Sequence, residues 1–171
     1  MSTTQNKRSE LLQQILSNTN SWLHFAEAKN AALIAFNVAL VTGIIGVDWL
    51  ADYFACAMIT IIGFISAIIV AVWSFKPVNK ALPKIENNGF GENLLHFAYV
   101  ASLEQDEYLQ SLYARYWKED DANNFTELER DYCEEIIEIA RITMRKQKCF
   151  EIGLYINIFM LFLFSILIIY A

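Results

Sequence analysis

YFACAMITIIGFISAIIVAVWSF, residues 53–75, runs for twenty-three positions without a charged side chain. At ~1.5 Å of rise per residue a helix of that length reaches ~34 Å, enough to cross the hydrocarbon core of a bilayer with a little tilt. Two further apolar runs lie on either side. Residues 152–170 are nineteen uncharged positions, and residues 31–47 are seventeen, with Asn37 near their middle. Asp48-Trp49-Leu50-Ala51-Asp52 makes a tight connection between the first two runs, and Trp49 and Tyr53 suit a membrane interface. The expected fold is an all-α membrane protein with three transmembrane helices at 31–47, 53–75 and 152–170, and a helical region, 76–151, between the second and third.

Composition agrees. Of 171 residues, 56% are hydrophobic and only 19% charged, which excludes a disordered chain or an ordinary soluble domain. A net charge of −6 sets aside DNA and RNA as partners. Residues 1–22 are polar and contain no apolar stretch followed by a small-residue cleavage site, so no removable signal peptide is expected. Cys56, Cys133 and Cys149 fit neither a paired disulfide framework nor a metal spacing, and His24 and His96 have no histidine three to five residues away. No metal and no cofactor are expected.

The basic residues set an orientation. Lys7, Arg8 and Lys29 precede the first span, Lys76, Lys80 and Lys84 follow the second, and Arg141, Arg145, Lys146 and Lys148 precede the third, whereas the 48–52 loop has no Lys or Arg. By the positive-inside rule the N-terminal helical segment, residues 1–30, and the 76–151 region are cytoplasmic, and the short loop and Ala171 are external.

Within the spans, Gly63, Ala67 and Ala71 form a stripe of small residues where a helix can approach closely, either within one chain or between chains. Asn30 and Asn37 share one face of the first helix with Leu33 and Leu40, and Asn157 gives the third span an amide. Such amides act either as hydrogen-bonding groups between helices, the commoner use, or as the lining of a polar pathway.

In the region between the spans, Pro77–Gly91 reads as a connector, with a turn at Asn87-Asn88-Gly89. Residues 93–103 are apolar and too short for periodicity to separate helix from strand, with helix favoured. Ser102-Leu103-Glu104-Gln105 has the capping-box pattern. Tyr108, Leu109, Leu112, Tyr113 and Tyr116 then follow on one face of a helix expected to end near Lys118, before a polar loop at 119–125. Thr126-Glu127-Leu128-Glu129 is a second capping box, opening a helix with Leu128, Tyr132, Ile136, Ile139 and Thr143 on one face. No Gly or Pro follows before Gly153, so one helix is expected from Glu127 through the third span to Tyr170. Ser9–Leu23 is expected to run likewise into the first span.

Three blocks of the chain resemble the Pycsar transmembrane effectors. Ala26-Glu27-Ala28-Lys29-Asn30-Ala31-Ala32-Leu33 is similar to that family's entry into its first span. Leu94-Leu95-His96-Phe97-Ala98-Tyr99-Val100-Ala101-Ser102-Leu103 with Glu107-Tyr108-Leu109 resembles its aromatic stretch and following Glu-Tyr helix. Ile139-Ala140-Arg141-Ile142 with Arg145-Lys146 resembles its third block. Glu104-Gln105 departs from the Ser-Pro expected before the Glu-Tyr helix.

The resemblance implies a bacterial antiphage effector in the inner membrane. A partner pyrimidine nucleotide cyclase would make cyclic UMP or cyclic CMP, and the effector would respond by impairing the membrane and arresting growth. Such a ligand needs a cation for its phosphate and an aromatic face for its base. The aligned motifs offer Lys29, Arg141 and Arg145 for the first and His96, Phe97 or Tyr99 for the second. The plainer readings are membrane-anchoring cations and core aromatics.

Three spans enclose no wide pore, so a homo-oligomer within the lipid bilayer is expected. No Gly-rich phosphate loop, G-x-S-x-G or H-E-x-x-H occurs, and an enzyme is not expected. The competing classes are a small ion channel and a membrane scaffold, neither gated by nucleotide.

Overall fold

The computed structural model describes residues 3–46, 53–87, 89, 91–117 and 125–170, with the side chains of residues 3–5 and 170 left aside. The 48–52 connection with Trp49, Asn88 of the connector turn, the helix end at Lys118 and residues 119–124 of the polar loop lie outside the described residues. The elements are α1 (Thr3–Ile45), α2 (Phe54–Trp73), α3 (Phe97–Val100), α4 (Gln105–Leu112) followed by a π-turn (Tyr113–Trp117), and α5 (Glu127–Tyr170). The described residues contain no strand, and α1, α2 and α5 are each long and apolar enough to cross a membrane.

The chain divides into two compact units. Unit 1 is Met1–Phe25 with Val78–Met144, and unit 2 is Ala26–Pro77 with Arg145–Ala171. Helices α1 and α5 each contribute residues to both.

Unit 1 has an ordinary interior. Leu12 and Ile15 of α1, Leu94, Phe97, Ala98, Val100, Ala101 and Leu103, Tyr108, Leu109 and Leu112 of α4, and Cys133, Ile136, Ile137 and Ala140 of α5 form one apolar cluster. Burial of each larger side chain there contributes ~1.5–3 kcal/mol. The 93–103 stretch is only one helical turn, α3. The Nδ1 of His96 accepts from the Ala98 N–H at its start, and the Ser102 hydroxyl donates to the Tyr99 carbonyl at its end.

That use of Ser102 moves the expected cap. α4 is capped by Glu104, whose backbone N–H donates to the Glu107 carboxylate in a capping box two residues further on. The π-turn widens the last turn of the helix, which leaves Tyr113 buried and Tyr116 exposed.

On α5 the Thr126 box forms as read: the Thr126 N–H donates to Glu129 and the Glu129 N–H to the Thr126 hydroxyl. Of the expected face Ile136 and Thr143 are buried and Leu128 is exposed; Glu129, Cys133, Ile137 and Ala140 complete the buried side. Glu129 is drawn inward because the Tyr113 hydroxyl donates to its carboxylate at 3.3 Å and Arg8 lies 4.0 Å from it, while Arg8 donates to Tyr113 at 2.7 Å. This compensated carboxylate displaces Leu128 from the interior.

Unit 2 follows a different rule. On α5 its buried positions are Lys146, Gly153, Asn157 and Leu167, and on α1 and α2 they recur in steps of three, four or seven: Ala26, Asn30, Leu33, Asn37 and Ile44, and Ala57, Thr60, Phe64, Ala67 and Ala71. That is the heptad seam of coiled-coil packing. Outward residues are apolar, with Ile62 60% and Phe162 63% exposed, as a lipid-facing surface requires.

Gly63, Ala67 and Ala71 are all buried within the unit, and a Cβ at Gly63 would strike the Met160 side chain. Hydroxyls in the spans bond to their own helix: Thr60 donates to the Cys56 carbonyl, Ser66 to Gly63 and Ser165 to Leu161.

Candidate ligand-binding site

A cavity of about 430 Å³ opens in unit 1 between the connector and the α3–α4 segment, lined by Lys84, Ile85, Glu86, Asn87, Tyr99, Ser102, Leu103 and Glu107. Its walls are built by long-range hydrogen bonds. The Ile85 N–H donates to the Ala101 carbonyl, which pins the connector to the end of α3. Arg141 is 8% exposed and reaches beneath this junction. Its guanidinium donates to the carbonyls of Leu82 (2.9 Å), Leu103 (2.9 Å) and Ala101 (3.3 Å), and lies 3.4 Å from Glu104. The planar fork thus ties together the connector and the segment that carries Tyr99.

At the rim, the Lys84 ammonium donates to Glu107 at 3.0 Å. This hydrogen bond is the main reason that the Glu107 carboxyl is held below the ordinary carboxylate range, against a smaller opposing effect of burial. Both groups are about half exposed, so the pair is open to exchange. The site therefore offers one cation, an aromatic side chain, two carboxylates (Glu86 and Glu107), an amide and a hydroxyl within one opening.

A second cavity of about 260 Å³ is lined by residues 78–82, Glu138 and Ile142. It has a cation, Lys80, but no aromatic residue.

The six ligand candidates taken from the sequence are distributed over both units. Tyr99 lines the larger cavity, and Arg141 supports its wall from behind. His96, also in unit 1, stacks on Phe97 with ring centroids 4.7 Å apart and is not among the cavity residues. Phe97 is itself a core residue.

Lys29 and Arg145 belong to unit 2. The Lys29 ammonium lies 5.4 Å from the centroid of the Phe150 ring, and Arg145 donates to the Trp73 carbonyl at 3.4 Å. Lys84, Asn87 and Glu107 were missed as site residues. Lys84 reads in sequence as one more flanking base, and only the folded connector brings it beside Glu107.

Three helices long and apolar enough to cross a membrane, together with a helical unit that carries a polar cavity, define a helical membrane protein. Residues 11–171 match the family model described as the Pycsar effector protein domain, and the chain belongs to that family of antiphage defence effectors. Membership pairs it with a nucleotide cyclase acting through a cyclic nucleotide. Neither curated proteins nor solved structures gave a match.

Proposed function

We propose that the protein is a non-enzymatic effector that binds a cyclic pyrimidine mononucleotide, cyclic UMP or cyclic CMP, in the Lys84–Tyr99 cavity and then impairs the bacterial inner membrane. Growth of the infected cell stops as a result. The observation that carries this reading is the placement of Lys84, Tyr99, Asn87 and Glu107 on one opening. Lys84 would exchange Glu107 for the ligand phosphate, Tyr99 would stack on the pyrimidine, and the Asn87 amide would meet its hydrogen-bonding edge. Glu107, released from Lys84, can accept from a ribose hydroxyl.

In this reading Arg141 is a positioning residue, and Lys29 and Arg145 act at the membrane. The N-terminus is cytoplasmic and the C-terminus external, as the basic flanks require, and the active form is a homo-oligomer. Ligand gates it only by binding the active state more tightly than the resting one. Two helices, α1 and α5, run unbroken from residues of unit 1 into those of unit 2, and are the elements available to carry that preference.

The test is calorimetric titration of the solubilised full chain with cyclic UMP, CMP, AMP and GMP and a cyclic dinucleotide. Selective binding of one pyrimidine nucleotide, weakened about tenfold or more (~1.4 kcal/mol) by Tyr99→Ala and by Lys84→Ala, is expected. Absence of binding by folded protein would refute the gated reading and leave an ungated channel or scaffold.

A further inference from the structure

Asn30, Asn37 and Asn157 set unit 2 apart. Each is at most 2% exposed, and each donates its amide N–H to the carbonyl four residues earlier, of Ala26, Leu33 and Gly153. The side-chain oxygen of each is buried without a hydrogen-bond partner. Turning any of these amides round would set its oxygen against that same carbonyl, so the orientation is fixed locally. Buried acceptors of this kind in a membrane segment call for a functional reason.

Register places them in one column. Glu27 pairs with Lys146 at 3.0 Å, Asn30 donates to the Lys146 carbonyl at 3.1 Å, and a Cβ on Gly153 would lie 2.7 Å from the Leu33 side chain. α1 and α5 therefore run parallel, and one turn beyond the Leu33–Gly153 contact stand Asn37 and Asn157, in the same layer. Further along, Leu40, Ile44, Phe64, Phe164 and Leu167 form an apolar cluster among the described residues.

We propose that the α1/α5 seam is a narrow path for monovalent cations, lined by the side-chain oxygens of Asn30, Asn37 and Asn157 and shut at rest by the apolar layer around Ile44. Carbonyl-type oxygens replace water around a cation, whereas an anion needs N–H donors, and each of these amide nitrogens already donates to a helix carbonyl while its oxygen has no partner. At the entrance Glu27 balances Lys146, so the amide oxygens set the field deeper in. An apolar constriction excludes water and ions until its walls separate. Gly153 permits the close approach that keeps the seam shut. The inference rests on the membrane-effector reading and deepens it: the membrane fails by cation leak.

The experiment uses full-length protein in phosphatidylethanolamine–phosphatidylglycerol vesicles loaded with potassium chloride and carboxyfluorescein and diluted into iso-osmotic sodium chloride, whose entering sodium balances the charge of leaving potassium, with cyclic UMP or cyclic CMP as trigger. Potassium efflux is expected to exceed chloride efflux about tenfold or more (~1.4 kcal/mol of barrier), with the dye retained. Asn37→Leu and Asn157→Leu should each cut potassium efflux by a similar factor while nucleotide binding persists, and Asn37→Gln should conduct. Gly153→Leu, which wedges the seam, should leak potassium without nucleotide.

Equal escape of chloride or dye overturns the path, as does wild-type conduction in both leucine variants, which would make the asparagines register-setting residues. If neither nucleotide triggers efflux but Gly153→Leu leaks selectively, the path stands and the gating reading fails. If Gly153→Leu and nucleotide-treated wild type both release nothing, the path is wrong.

Discussion

The two units bury polar groups in opposite ways. In unit 1, Arg141 meets three carbonyls and Glu104, the Tyr108 hydroxyl donates to the Leu94 carbonyl at 3.0 Å, and Glu129 is surrounded by Tyr113, Thr126 and Arg8. In unit 2 the amides of Asn30, Asn37 and Asn157 are half satisfied, each with an idle oxygen. A satisfied buried group locks one conformation, because every displacement breaks bonds that water cannot replace. A half-satisfied one destabilises its resting state by ~1–3 kcal/mol and costs less to move. The buried groups around the cavity thus hold a fixed geometry, whereas the three asparagines of the membrane unit are the ones that the proposed change of state could move at low cost.

The contrast is tested most severely at Arg141. Arg141→Met strips donors from the carbonyls of Leu82, Ala101 and Leu103, and is expected to destabilise unit 1 by about 3 kcal/mol, visible as a lowered thermal midpoint of the solubilised protein. A shift near zero would mean that water replaces those bonds and that the cavity wall is not fixed. Tyr108→Phe removes one buried donor and is expected to cost about 1–2 kcal/mol by the same measurement.

Asn37→Leu carries the opposite sign. Removing a buried acceptor that has no donor is expected to leave unit 2 as stable as before, or more stable by up to about 1 kcal/mol. A large loss would show that the oxygen is satisfied in the bilayer and would erase the comparison.

Two smaller effects concern titration. Burial pushes the Cys133 thiol up to about 12, so folded protein is expected to resist maleimide at Cys133 near neutral pH and to label there on denaturation. Glu107, held below its unperturbed value of 4.5 mainly by Lys84, adds stability that is present above that value and is lost as pH falls through its lower folded pKa. The contribution is small because the pair is half exposed. Lys84→Ala should return the Glu107 carboxyl toward its ordinary range in an NMR titration, and no movement would separate the two groups in solution.

Much of this molecule was legible one residue at a time. The uncharged stretches fixed the three spans because lipid leaves no alternative to an apolar helix of that length. Thr126 and Glu129 announced the start of α5, since a capping box is closed within four residues. The ordered motifs pointed to the family without any contact being known.

What failed were readings in which a residue was assigned by local pattern alone. Ser102 was expected to cap α4, yet its hydroxyl goes backward to Tyr99. Leu128 was placed on the apolar face of α5, yet it is exposed, and Glu129 beside it is buried where Tyr113 and Arg8 reach it from distant parts of the chain.

Helix, span and family were therefore determined by the sequence itself, because periodicity, capping and hydropathy act over a few turns. The cavity that joins Lys84 to Tyr99, and the register that sets Leu33 against Gly153, were decided only by the tertiary structure. Both depend on which segments meet across long loops and seams. That choice is made by the sum of packing and hydrogen bonding over a whole unit, and no local pattern encodes it.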